Sequence, residues 1–300
     1  KDLKRLRGMV GLKKISSTLL LAFLSWVILG LLFPNSAFAF KTYKRIVSLA
    51  PSVTESLYFL GSIDSVVGVT DYDTFPPDVS NKPSVGGNVD PSLEKIINLK
   101  PDLVIGEKIF HHDLLNRLQA FNIDTLELTL HHRLSHVKEA FFKIAEKVNR
   151  IERAKKVWQD IDSGLGQRRS QLAARINKPT SMLVIVWHDP LIVAGGWSYI
   201  GDIMNAIGIK NAADSKKFSF PVISREELLL WNPDVILLVQ TKKGMSINAE
   251  EFMKVTGNLP LKAKIVSFES EVLLHPGPRV LESADVLIKA IDMASKEANK

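Results

Sequence analysis

The chain has 300 residues, 46% apolar and 24% charged, with a formal net charge of +7. That length supports one large domain or two smaller ones with a sizeable core. There is no cysteine, which excludes disulfides, thiolate metal sites, iron–sulfur clusters and a cysteine nucleophile, and sets the expectation that no lipid is attached at an N-terminal cysteine.

Residues 1–39 are expected to be an export signal, with Met9 as a plausible start. Lys13 and Lys14 form a basic head, Ile15 to Phe33 an apolar run, and Ala37-Phe38-Ala39 a small-x-small cleavage pattern. The alternative is an uncleaved membrane anchor, because the run is long enough to span a bilayer. Pro34 and the Ala-x-Ala pattern favour cleavage and a periplasmic product. This segment holds six Lys/Arg and one Asp, so it carries five of the seven net positive charges. The remainder is near +2, which gives no case for nucleic-acid binding.

Arg45–Ala50 reads as an apolar strand ended by Pro51, followed by a short helix closed at Gly61. Ser65–Thr70 is a second strand, and a polar, proline-rich stretch runs from Asp71 to Pro91. Then come "SLEKIINLKPDLVI" (Ser92 to Ile105), a helix from "DLLNRLQAFN", and a strand at Asp124–Leu130. Ser135 to Ile176 is helical throughout. Its charges lie opposite a stripe of Val148, Ile151, Ala154, Val157 and Ile161. The segment 151–177 is expected to be one linking helix, a rigid strut of roughly 39 Å at ~1.5 Å per residue. The pattern then restarts: a strand at Ser181–Trp187, a helix closed by Gly208, "SREELLLWNPDVIL" (Ser224 to Leu237), a strand at Lys264–Phe268, and a final helix with Pro278 near its first turn.

The two quoted segments share Ser, Glu, Pro and Asp at one constant offset, and the elements around them follow the same order. Strands alternating with helices argue for parallel sheets. The expected fold is therefore α/β: two Rossmann-like lobes, 40–150 and 178–300, joined by the 151–177 helix, with a ligand cleft between them. Ligands of such sheets bind beyond the carboxyl ends of the strands. Six histidines follow strand ends there: His111, His112, His131, His132, His188 and His275. Imidazoles ligate metals and metal chelates, and His188 beside the aromatic Trp187 is the better ligand candidate. Each is also readable as an ordinary polar loop residue. Tyr72 and Phe220 are candidate walls. Ser92 and Ser224 read as N-caps, which puts Glu94 and Glu226 in the first turns of their helices. Ser224-x-x-Glu227 makes a capping box by itself, so Glu226 is free to point elsewhere. A helix antiparallel to its strands starts at the cleft edge. The two glutamates therefore flank the cleft mouth, one per lobe, as a pair suited to a two-fold partner with basic residues.

"RIVSLAPSVTESLYFLG", "VGVTDYDTFPPDV", "VGGNVDPSLEKIINLKPDLVI" and "SREELLLWNPDVILL" together resemble the periplasmic substrate-binding proteins of the cobalamin, haem and ferric-siderophore import class, over about Lys44 to Ala290. The resemblance implies limited hinge motion, a metal-chelate ligand between the lobes, no resident cofactor and no catalysis. It implies docking of Glu94 and Glu226 on the permease dimer of an ABC transporter, by a protein that is itself a monomer. It also implies ligand contacts from Tyr72, Trp187, His188, Phe220, His275 and Arg279, with His188 the possible axial ligand. The chain departs from the cobalamin pattern at Asn88 and Phe220, where that class can carry tryptophan. Two other readings remain open: a free Zn²⁺ or Mn²⁺ binder using the cleft histidines, and a secreted metal-dependent hydrolase. The chain lacks His-Glu-x-x-His, Gly-x-Ser-x-Gly and a Walker loop.

Overall fold

The computed structural model describes residues 41–130, 132–176, 180–241 and 246–297. The expected export signal, and His131, lie outside them. No helix among the described residues is long and apolar enough to cross a membrane.

Two mixed α/β lobes each carry a sheet. In the first, β1 (Ile46–Ser48), β2 (Val66–Gly68), β3 (Leu103–Glu107) and β4 (Asp124–Leu128) form the order β2-β1-β3-β4, parallel throughout. In the second, β5 (Ser181–His188), β6 (Leu191–Val193), β8 (Val235–Gln240) and β9 (Lys264–Glu269) form the order β6-β5-β8-β9. The short β7 (Lys210–Asn211) pairs with the start of β5. Here β5, β8 and β9 are parallel, whereas β6 turns back antiparallel on β5.

The helices of the first lobe are α1 (Pro51–Phe59), α2 (Leu93–Asn98), α3 (Lys108–Gln119) and α4 (Leu134–Lys147). Then α5 (Ile151–Ala173) links the sheets, and α6 (Tyr199–Ile207), α7 (Arg225–Trp231), α8 (Ala249–Val255) and α9 (Val280–Glu297) follow. The strut α5 is about 34 Å long at ~1.5 Å per residue. It ends at Ala173, short of the expected 151–177 segment's end.

Side-chain alternation along the strands sorts the interior into three bodies. On β8, Val235, Leu237 and Val239 face one cluster, while Ile236 and Leu238 face another. On β3, Leu103 and Ile105 face that same first cluster, and Val104 faces a third. The first cluster is shared: it contains Ile46 and Ile105 of one sheet, Val184 and Leu237 of the other, and Phe141, Trp158, Leu165, Ile203 and Leu287 from α4, α5, α6 and α9. The outward face of each sheet has its own smaller core. Thus the lobes are fused through one close-packed interior, which resists large relative motion. The fit of α5 on α9 depends on Gly164, where an added Cβ would sit 2.7 Å from Leu281.

The duplicated segment repeats in detail. Ser92 Oγ accepts from Lys95 N–H, and Ser224 Oγ from Glu227 N–H, capping α2 and α7. Lys100 and Asn232, at matched positions, are both left-handed (φ 47° and 41°) and each precedes proline. The following aspartates clamp the first strand of each sheet: Asp102 accepts from Lys44 and Arg45 N–H, and Asp234 from Ser181 N–H.

Candidate functional site

In both sheets the chain reverses its direction of build between the two central strands, β1/β3 and β5/β8. The carboxyl ends of such strands open a crevice at the switch point. A cleft of about 370 Å³ lies there, between the lobes. Its first wall is built from Pro51 and Ser52 after β1, Asp71, Tyr72 and Thr74 after β2, the Asn88–Asp90 turn, and Glu107 at the end of β3. Thr241 after β8, and Glu271, Leu274, His275 and Pro276 after β9, form its second wall.

The first wall is held by a histidine. His111 is fully buried; its Nδ1 accepts from Glu107 N–H at 2.9 Å, so its Nε2–H donates to Asn88 O at 2.6 Å. These two bonds fix a neutral tautomer. Burial lowers the pKa of His111, against the opposing pull of the Asn88 carbonyl and Glu107. The ring also packs on Gly106, where an added Cβ would lie 3.0 Å from it. His111 thereby ties the cleft-lining turn to the end of β3.

Polar contacts join the lobes beside the cleft. Thr74 Oγ1 donates to Glu271 Oε2 at 3.0 Å. Glu55 on α1, only 1% exposed, faces His275 Nδ1 at 3.0 Å and Arg279 Nη1 at 3.2 Å. Arg279 also stacks over Phe75 at 4.3 Å. Elsewhere Asp202 accepts from Arg133 and from Leu134 N–H, and His132 meets Ser219 at 2.9 Å.

Of the candidate ligand residues, Tyr72 and His275 line the cleft together. Arg279 does not: its guanidinium is engaged by Glu55 and Glu282, and it borders a separate depression with Phe59 and Pro278. Trp187 and His188 belong to β5 itself, in the hairpin to β6, where a strand end was expected. Trp187 is 39% exposed and its Nε1 donates to Asp189 O. His188 Nδ1 is buried with no hydrogen-bond partner among the described residues. Phe220 packs edge-on against Tyr199 at the shared core.

The remaining histidines disperse as well. His111 and His112 are inside α3, because β3 runs straight into that helix with no intervening loop. His112 pairs with Glu127 at 2.6 Å. Among the described residues no three His, Asp or Glu side chains converge as a metal-ligand set. Glu94 and Glu226 are exposed in the first turns of α2 and α7. The capping box of α7 closes through Glu227, which also pairs with Lys216; Glu226 is not its N3 member, but its carboxylate accepts from its own backbone N–H and from the Ser224 hydroxyl, which lower its pKa.

Glu107 and Glu271 were not singled out from the sequence. Both stand at strand carboxyl ends, so the rule that located the histidines would have found them had it been applied to acids.

A family model described as "Periplasmic binding protein" matches residues 46–256. Among curated relatives, the ABC transporter substrate-binding lipoprotein YvrC of Bacillus subtilis is 27% identical over 84% of this chain and 81% of its own length. The vitamin B12-binding protein of Photorhabdus laumondii is 25% identical over 88% and 94%. Among solved structures, the apo periplasmic heme-binding protein RhuT from Roseiflexus sp. RS-1 superposes with a TM-score of 0.72 at 26% identity, covering 84% of this chain and 98% of that one. With two α/β lobes, a linking helix and an interlobe cleft, and with that match over most of its length, the chain belongs to the periplasmic binding protein family.

Proposed function

We propose that this is an exported solute-binding protein that captures a metal-chelate nutrient, a corrinoid, ferric siderophore or haem, and delivers it to the permease of an ABC importer. The observation that carries the reading is the cleft: a switch-point crevice walled by both lobes, which are themselves fused through one core. Its relatives include proteins named for vitamin B12 and for heme. The reading makes residues 1–39 a cleaved signal, the mature protein a periplasmic monomer, and binding without turnover its activity.

Tyr72 and His275 are the first ligand contacts in this reading. Trp187 and His188 belong to the second lobe's β5–β6 hairpin and Phe220 packs at the shared core, so they meet only a ligand that extends past the cleft. His188 would then ligate through Nε2. Arg279 acts on the ligand through the Glu55–His275 cluster. The exposed Glu94 and Glu226, on matched helices, are the docking pair for basic residues on two permease subunits.

Absorbance titration of the purified protein with hydroxocobalamin, haemin and ferric siderophores tests capture. A saturable band shift with one of them is expected, and none with any of them would sink the reading. Glu94→Ala/Glu226→Ala should bind ligand normally and fail to support uptake; full uptake by that variant would remove the docking assignment.

A further inference from the structure

We infer that His275 is an axial ligand to the metal of the cargo, so that the cleft takes a chelate whose metal keeps an open coordination position. This rests on the binding-protein reading above and names the ligand class within it. A chelate brings most of its own donors, so one well-placed imidazole completes the set. His275 lines the second wall of the cleft, flanked by Leu274 and Pro276, which line it as well.

The ring is oriented from behind. Its Nδ1 lies 3.0 Å from Glu55 Oε1, and 13% of the side chain stays exposed. Glu55 is 1% exposed and takes a second contact from Arg279 Nη1, at 3.2 Å on the same oxygen. A carboxylate paired with a guanidinium accepts hydrogen bonds and donates none. Neutral His275 therefore carries its proton on Nδ1, and its Nε2 keeps a lone pair. Among the described residues no hydrogen bond engages Nε2. A carboxylate behind an imidazole fixes its tautomer, orients the ring and strengthens the other nitrogen as a metal donor. The support is itself held. Arg279 is gripped by Glu282 and stacks over Phe75 at 4.3 Å. His275 precedes Pro276, which restricts it to the extended backbone it adopts (φ −106°, ψ 93°). Gly277 lets the loop lie on α1, where an added Cβ would meet Ser52 O at 3.4 Å and Glu55 Oε2 at 3.5 Å.

No other described histidine combines these features. His111 spends both ring nitrogens on the backbone of Glu107 and Asn88. His112 has a carboxylate partner in Glu127, but its Nε2 accepts from Asn116 and it does not line the cleft. His136 and His188 each bury Nδ1 with no partner among the described residues, so no bond there fixes the tautomer. A lone pair at His275 rewards a metal with a vacant position. A porphyrin or corrin takes the in-plane positions and leaves the axial ones, whereas a hexadentate ferric siderophore fills them all.

The test titrates the intact protein with haemin and hydroxocobalamin, whose axial positions exchange. Cyanocobalamin, closed by cyanide, and ferrioxamine B, saturated by hydroxamate oxygens, are the counterparts. At least one of the first two should bind with the absorbance shift of imidazole coordination, and bound haemin should show nitrogen coordination by electron paramagnetic resonance. His275→Gln keeps a donor for Glu55 but has no imidazole, and it should lose that signature. Glu55→Gln keeps an acceptor but removes the charge behind the ring, and it should weaken the coordinated complex by about tenfold. Any binding of cyanocobalamin or ferrioxamine B should be the same in wild type and both variants. The thermal unfolding midpoint reports that each variant keeps its fold.

A signature that survives His275→Gln overturns the inference, and its loss in Tyr72→Phe instead would move the coordination to that phenol. An equal loss of cyanocobalamin affinity in His275→Gln also overturns it, because His275 would then be a wall or a latch between the lobes. Should a variant fail to fold, oxygen coordination of haemin in the wild type is by itself enough to overturn it. Binding of ferrioxamine B alone overturns the open-position class and leaves the binding-protein reading standing. Binding of none of these probes overturns both.

Discussion

In the first lobe Ser92 caps α2, Lys100 turns left-handed before Pro101, and Asp102 clamps the start of β1. In the second, Ser224, Asn232, Pro233 and Asp234 do the same for α7 and β5. The lobes differ past the ends of this unit. The first keeps an all-parallel sheet and ties its cleft turn down with the buried His111. The second adds the antiparallel hairpin that carries Trp187 and His188. What is duplicated sets the frame of each sheet; what differs lies on loops and sheet edges. This is the division expected when a rigid scaffold presents variable loops.

The largest expected effect tests whether the lobes are one folding unit. Trp158→Ala removes a buried indole of α5 from the shared core, beside Phe141. It should cost about 3–5 kcal/mol in urea unfolding and lower one common transition for both lobes. Two separated transitions would show that the shared interior does not couple them.

The strand clamps give a paired comparison. Asp102 receives two backbone N–H groups and Asp234 receives one. Asp102→Ala should therefore destabilise more than Asp234→Ala, within a range of about 1–3 kcal/mol. An equal or reversed order in denaturant melts would mean that the clamps are not equivalent devices.

A smaller effect concerns the left-handed position. A lysine there is less suited to that backbone than asparagine. Lys100→Asn should stabilise by about 0.5 kcal/mol, and Asn232→Lys should destabilise by a similar amount. Thermal melts of the two variants check both signs.

The lobes should also separate by pH. His111 is held neutral, with its pKa below the ordinary 6.5 because it is buried. The unfolded chain takes up its proton first as pH falls through 6.5. The stability tied to neutral His111 is therefore complete above that value and declines below it, toward the lower folded pKa. Amide exchange at pH 5.5 should rise in the 86–90 turn relative to pH 7.5, and this rise should be absent in His111→Gln. A uniform rise over both lobes would assign the effect to other groups.

Much of the architecture was legible because its signals are local. Ser224-x-x-Glu227 specifies a helix start, Gly208 a helix end, and the unbroken apolar run of "DVILLV" a strand buried on both faces. The start of α3 was not legible, because "KIFHH" puts polar residues in a first turn that reads equally as a loop. The hairpin after Trp187 was missed because Asp189-Pro190 reads as a strand end, whatever the chain does next. The site was half legible. Strand ends point to Tyr72 and His275, and both line the cleft. Whether Arg279 points into the cleft or into Glu55 depends on an α1 residue far away in sequence, which no local pattern reports.

Gly164 gives the last consequence. With no side chain there, α5 and α9 lie in direct contact, and α5 becomes a spacer of set length on which both sheets are mounted. Glu94 and Glu226, at the starts of matched helices, are then like two pins on a single ruler. Any change in their spacing has to be absorbed outside the α5–α9 contact.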